Sequence, residues 1–242
     1  MTLPAFPLPP VAFNGESRAN PADAALDWLR QGWALFAEDK LRWCFISLFF
    51  CALVVAPAAL TPYALWLSLL LLPFFAAGWH ELCRMAEMAE ETNRRPLPGD
   101  FFVSFTAPSL FIPGILGAGA FWLAWTGFSF VLSFAAAPEV GADFWLMIIL
   151  YGFFLPVLMI PLGMTLLFAP PLLHPCHLSP GRAFKASFTA CRKNLMPLFL
   201  FALLLSLLAS ATLLSFGLLL PVALPVAFAA WRAACHDIFI VL

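Results

Sequence analysis

Charge is what this sequence has least of. Only 10% of its 242 residues are Asp, Glu, Lys or Arg, against about 25% in ordinary soluble domains. None of them interrupts Trp43–Trp79, Phe101–Pro138, Phe144–Leu173 or Leu195–Trp231. About 20 apolar residues cross the hydrocarbon core of a bilayer, so the solvent expected for most of the chain is lipid. The mean hydropathy of +0.95 agrees with this.

An excess of basic charge is also missing. Twelve basic and thirteen acidic residues leave a net charge of -1, so no global field attracts nucleic acid. The six cysteines include no CxxC pair, and none falls in an expected periplasmic loop, so disulfides are not expected. Met1 to Gly15 has neither a basic n-region nor a small-residue cleavage site. Residues 1–19 therefore read as a disordered leader and not as a signal peptide. No GxSxG, P-loop or dinucleotide fingerprint occurs, and His80-Glu81 begins an HExxH motif that Arg84 breaks. No catalytic residue and no cofactor is expected, and the chain reads as a non-enzyme.

What is present is a set of long runs with internal breaks. Thr61-Pro62 divides the first run and Ser215-Phe216-Gly217 divides the last, while Glu139 to Asp143 separates the two middle ones. Phe101 to Ala107 is too short to span at roughly 1.5 Å per residue, so it reads as an interfacial helix capped by Asp100, with the third span starting near Leu110. The expected fold is all-α and transmembrane: a six-helix bundle of three hairpins, each preceded by a cytoplasmic interfacial helix. Residues 20–242 then form one membrane domain. Every basic residue falls before span one, between spans two and three, between four and five, or after six. The positive-inside rule puts those segments, and both termini, in the cytoplasm of a bacterial inner-membrane protein.

A threefold repeat is also legible, with units of about 20–95, 96–177 and 178–242. Pro98-Gly99-Asp100-Phe101-Phe102 through Ala107 parallels Pro180-Gly181-Arg182-Ala183-Phe184 through Ala190. The even spans end alike, in Phe75-Ala76-Ala77, Phe168-Ala169-Pro170 and Phe228-Ala229-Ala230. Pro73, Pro156, Pro161, Pro221 and Pro225 are expected to kink those spans. Gly114, Gly117, Ala118, Ala120 and Ala124 give span three the small-residue faces on which helices approach closely.

Two groups of side chains are candidates for function. From Asn20 as N-cap and Pro21 onward, Ala22, Leu26, Leu29, Trp33 and Phe36 line one face of an amphipathic helix ending at Glu38. Its Trp28 and Trp33, with Arg182, Lys185, Arg192 and Lys193 of the third unit, are the expected interfacial anchors. The second group is His80, Cys83, His174, Cys176, His177, Cys235 and His236. Each unit delivers Cys and His at the cytoplasmic end of its even span, and thiolate with imidazole suits zinc or copper. Interfacial histidines and small buried cysteines are also common without metal.

Trp28, Gly32, Trp33, Leu35 and Phe36, then Phe168-Ala169-Pro170, Pro180, Ala183, Ser187-Phe188, Arg192, Asn194 and Pro197, and finally Asp237-Ile238-Phe239, resemble a family of conserved hypothetical bacterial membrane proteins of the BPSS type. More distantly they resemble YciC-like inner-membrane proteins and the membrane domain attached to some glycerophosphodiester phosphodiesterases. The resemblance implies a multi-pass membrane domain and carries no catalytic residue. The functional expectation is a non-catalytic protein that organises membrane lipids or other membrane proteins through its interfacial helices and the apolar tail Ile238 to Leu242. A permease or channel for a small or hydrophobic solute is the alternative.

Overall fold

A computed structural model of the chain describes residues 13–55, 61–89, 93–135, 142–174 and 176–241. Among these are nine α-helices and one two-stranded sheet. Strand β1 (Phe13–Ser17) leads into α1 (Ala24–Glu38) and α2 (Lys40–Phe50), which continues as a π-helical turn over Cys51–Val55. Helix α3 (Pro62–Glu87) is followed by 3-10 turns at Pro98–Thr106 and Pro108–Leu110. Then come α4 (Phe111–Ala135), α5 (Ala142–Leu166), the short α6 (Ala169–Leu173), α7 (Pro180–Lys193), α8 (Leu195–Leu214), α9 (Leu220–Ile238) and β2 (Phe239–Val241).

Among the described residues, four helical stretches are long and apolar enough to cross a membrane: Trp66–Glu87, Pro108–Ser133, Trp145–Leu173 and Leu195–Leu214. Their boundaries follow local chemistry. Thr61 accepts the Ala64 N–H through its hydroxyl, and Pro62 starts α3 where its missing N–H costs nothing. Ser179-Pro180 opens α7 at the position expected, although Ser179 makes no side-chain cap bond. After α8, Phe216 and Gly217 take positive φ and the Gly217 N–H returns to the Thr212 carbonyl, which ends the helix. Pro73, Pro156, Pro161 and Pro225 lie inside their helices, whereas Pro221 sits in the first turn of α9, a position proline tolerates without a kink. Gly114 brings the backbone of α4 onto the Leu70 carbonyl of α3, and the Tyr151 hydroxyl of α5 donates to the Ala124 carbonyl of α4 at 2.6 Å. Gly114 thus serves close packing, whereas Gly117 of the same helix has no neighbour in close contact.

Several expectations change at the basic end. The segment after Leu97 is a 3-10 helix that starts at Pro98, so Asp100 lies within its first turn, where it accepts the Leu97 N–H at 2.9 Å and pairs with Arg94. It packs on α3: Ser104 donates to the Phe74 carbonyl, and a Cβ at Gly78 would stand 2.6 Å from the Phe101 carbonyl oxygen. Helix α1 starts at Ala24, without a side-chain cap, because Asn20 is engaged elsewhere. The leader expected to be unstructured through residue 19 contains β1, paired antiparallel with β2 in the register Ser17 opposite Phe239. Residues 1–12 lie outside the described residues. The apolar tail is partly consumed in the same way, since Ile238 and Phe239 are buried in the core; Leu242 lies outside the described residues.

The inward face of α1 is Ala25, Trp28, Gly32, Leu35 and Phe36, with Leu26 and Trp33 exposed. That face is turned from the expected one because α1 seats on α9. Gly32 is the contact point: a Cβ there would lie 2.6 Å from both the Val226 carbonyl oxygen and the Ala230 nitrogen. Gly32→Val is expected to lift α1 from α9 and to cost about 1 to 3 kcal/mol of stability, as overpacking does. Limited proteolysis near Arg30 in the solubilised protein reads this; cleavage no faster than in the parent chain would show that the seat tolerates the side chain.

Candidate functional site

The basic end of α3 carries His80, Glu81, Arg84 and Glu87 on successive turns, and α9 brings Arg232 across to meet them. Burial of these groups is possible only because each charge has a partner. Arg84 donates to both Glu81 carboxylate oxygens, at 2.7 and 3.1 Å, in a pair that is almost wholly buried. Arg232 donates to Glu87 at 2.7 and 2.9 Å and reaches His80 Nε2 at 3.1 Å. The His80 ring meets Trp231 edge-on at 5.8 Å. Removing one partner from such a pair strands a buried charge, typically at about 3 to 5 kcal/mol.

A second polar group fastens the two ends of the chain. Asp237, at the end of α9, accepts from Arg18, from Asn20 Nδ2 at 2.9 Å and from Trp28 Nε1 at 2.9 Å. Asn194, fully buried between α7 and α8, accepts the Asn20 N–H at 2.8 Å and donates to the Arg18 and Ala190 carbonyls. Lys193 Nζ donates to the Ser17 carbonyl at 2.7 Å. Apart from the local Asn194–Ala190 bond, these join residues more than 170 positions apart and hold β1 and α1 against α7 and α9.

The Cys and His residues do come to this end, but not as a ligand shell. His80 lies within electrostatic reach of His174 and His236, and Cys235 within that of Cys176. The His174 and His177 rings are 6.4 Å apart, and His177 and His236 are exposed. Among the described residues no group of three or more His, Cys, Asp or Glu is placed to hold a metal ion. The physical reason is the arginines: Arg232 already occupies His80 and Glu87, and Arg84 occupies Glu81, so a cation would have to displace a guanidinium. Burial pushes the Cys176 thiol up to about 11, with Arg84 and Arg232 opposing, and a protonated thiol is a poor ligand.

The expected anchors divide. Trp28 is not interfacial: it is fully buried, edge-on to Phe201 at 5.6 Å and bonded to Asp237. Trp33 is 53% exposed. Arg182, Lys185, Arg192 and Lys193 all lie on the exposed face of α7, opposite Ala183, Ser187, Ala190 and Cys191, which pack inward. Ser187 makes that inward face polar where it must be, accepting the Phe168 N–H and donating to the Met164 carbonyl.

The structure also holds cavities. One of about 960 Å³ lies at the basic end against Asp39, Arg42, Glu87 and Arg95, where Asp39 accepts from both arginines. The other, about 650 Å³, is lined by apolar residues of α3, α4, α5, α6, α8 and α9, ending at Phe228 and Trp231. Its traces in the sequence are the prolines Pro73, Pro113 and Pro170 and the small residues Gly117, Gly163 and Ala202 that line it. Comparison with protein-family models, curated proteins and solved structures finds no match.

His174 Nδ1 is buried without a hydrogen-bond partner. Burial lowers the pKa of its imidazole; the Glu81 carboxylate opposes this, and the charges of His177 and Arg84 add to it. A folded pKa below the unfolded value of about 6.5 means the contribution is complete above that pH and is lost as pH falls toward the folded value. Melting of the solubilised protein is therefore expected to drop between pH 7.5 and 5, and His174→Gln to flatten that drop. Equal slopes for both proteins would remove His174 as the cause.

Proposed function

We propose that this chain is a non-catalytic, multi-pass protein of a bacterial inner membrane, with six spans and cytoplasmic termini, that organises anionic lipid at its cytoplasmic face. The observation that carries the reading is α7. Its four basic side chains are exposed together, while its small residues seat it on the bundle. Such a face attracts anionic headgroups at about 1 kcal/mol per basic residue near the surface. Exposed Leu26 and Trp33 on α1, and Leu41 and Phe45 on α2, offer apolar contacts beside it. In this reading α2 with the turn at Cys51–Val55, and α9, supply the first and sixth spans, paired with α3 and α8 as hairpins. Residues 56–60 lie outside the described residues. The threefold repeat of an interfacial segment followed by a hairpin is part of the same proposal.

The alternative, a permease or channel, would use the apolar cavity. Its lining carries no ionisable side chain, whereas ion-coupled paths through membranes are built on such groups, and the lipid reading is preferred.

Lipids copurifying after mild detergent extraction from mixed-lipid membranes test the proposal. The parent protein is expected to retain anionic phospholipid above its share of the membrane. Arg182→Gln, Lys185→Gln, Arg192→Gln together should cut that enrichment by about tenfold or more, with Lys193 spared because it holds β1. An enrichment unchanged by the triple substitution contradicts the reading.

A further inference from the structure

We propose that the apolar cavity bounded by α3, α4–α5 and α8–α9 seats one acyl chain of an anionic phospholipid from the leaflet on the basic side. The proposal rests on the reading of the basic face given above and goes beyond it by naming where the lipid tail is held.

Depth is the first argument. The lining runs from Leu69 to Ala76 on α3, Pro113 to Phe121 on α4 and Leu198 to Leu205 on α8. At about 1.5 Å per residue each window covers roughly 10 to 12 Å, less than half of a hydrocarbon core of about 30 Å. The windows on α4 and α8 lie in the helix half nearer the basic residues, since Pro113 opens α4 and Leu198 follows Lys193 and Asn194, and the window on α3 is mid-helix, with Ala76 preceding the Glu81–Arg84 pair. A transmembrane solute path would need lining at the far end too, near Leu214 and Leu218, and neither lines the cavity. The cavity thus has the depth of one leaflet.

Chemistry supplies the second. The lining is Leu, Pro, Ala, Gly, Phe and Trp, with the Trp231 indole N–H its one polar side-chain group, so a polar solute entering it would surrender most of its hydrogen bonds to water, and a hydrocarbon chain would surrender none. A volume of about 650 Å³ lies within the roughly 300 to 1,000 Å³ of ligand pockets. The space exists because Gly117, Gly163 and Ala202 face it; a Cβ added at Gly163 meets no atom within 4 Å. Inside a bilayer such a void leaves its walls without dispersion partners, and the molecules there to fill it are lipid chains.

Charge supplies the third. Trp231 closes the cavity at the basic end, and its neighbour Arg232 opens the network with His80 and Glu87. The exposed basic face of α7 stands at the same end. A lipid whose tail enters here carries its headgroup to a positively charged surface, which selects a negative one.

The test uses the full chain reconstituted with a phosphatidylglycerol analogue bearing a photoreactive diazirine in mid-chain, with adducts mapped by mass spectrometry. Adducts are expected on Phe121, Ala202 and Leu205 in excess of those on Ile149 and Phe153, which are exposed on the outside of α5. Gly163→Phe, which fills the cavity, should lower the cavity adducts tenfold or more and leave those on Ile149 and Phe153 unchanged. Gly152→Phe is the control on the same helix: it also meets open space, lies outside the cavity, and should change nothing. Cavity adducts no stronger than those on Ile149, or indifferent to Gly163→Phe, overturn the seat. Equal cavity labelling by a phosphatidylcholine analogue leaves the seat standing but overturns the anionic preference, and with it the reading of the basic face.

Discussion

Hydrocarbon does not tolerate an unpaired charge, and this one constraint orders the molecule. It keeps Asp, Glu, Lys and Arg out of the middle of the long helices and gathers the basic residues at one end. There it requires every charge that is carried inward to arrive with its partner. Glu81 is buried because Arg84 sits one turn on; Arg232 is buried because Glu87 and His80 meet its guanidinium. Asp237 is satisfied by Arg18, Asn20 and Trp28, three donors delivered from the opposite end of the chain. The paired end is what allows α1 to pack on α9 through Gly32, and that packing in turn gives β1 its place beside β2.

The same constraint separates two kinds of surface at the basic end. Charges that find partners become interior and structural, and this is why His80 serves an arginine and not a metal. Arg182, Lys185 and Arg192 on α7, which have no ion pair among the described residues, stay outside and remain available to a negatively charged surface. The apolar cavity lies just behind the boundary between them, with Trp231 as its end wall. An exposed basic face and an apolar cavity thus stand at the same end of one architecture, which is the basis of the proposed role.

What was legible in the sequence is what depends on near neighbours. Thr61-Pro62, Ser179-Pro180 and Ser215-Phe216-Gly217 mark helix ends because caps, prolines and positive-φ residues act within a few positions. The charge-free runs mark four long apolar helices for a similar reason. Trp28 was misread because its polar partner, Asp237, lies 209 residues away; without that partner a tryptophan on an amphipathic helix reads as a membrane anchor. The phase of α1 failed with it. Arg232 was counted for orientation and not for chemistry, since its bond to His80 crosses 152 positions. The gathering of Cys and His at one end could be seen from their repeated placement, but the guanidinium groups that occupy their midst could not.

Orientation underlies both the charged face and the leaflet assigned to the cavity. Leu218 is 82% exposed beyond α8, and Gly181 lies at the start of α7 with open space around it. Single cysteines at these positions, in a chain otherwise free of cysteine, report the two sides of the membrane to an impermeant thiol reagent applied to intact cells whose outer barrier is permeable. Leu218→Cys is predicted to react from outside and Gly181→Cys only after lysis. Reaction of Gly181→Cys from outside, with Leu218→Cys protected, would contradict the account.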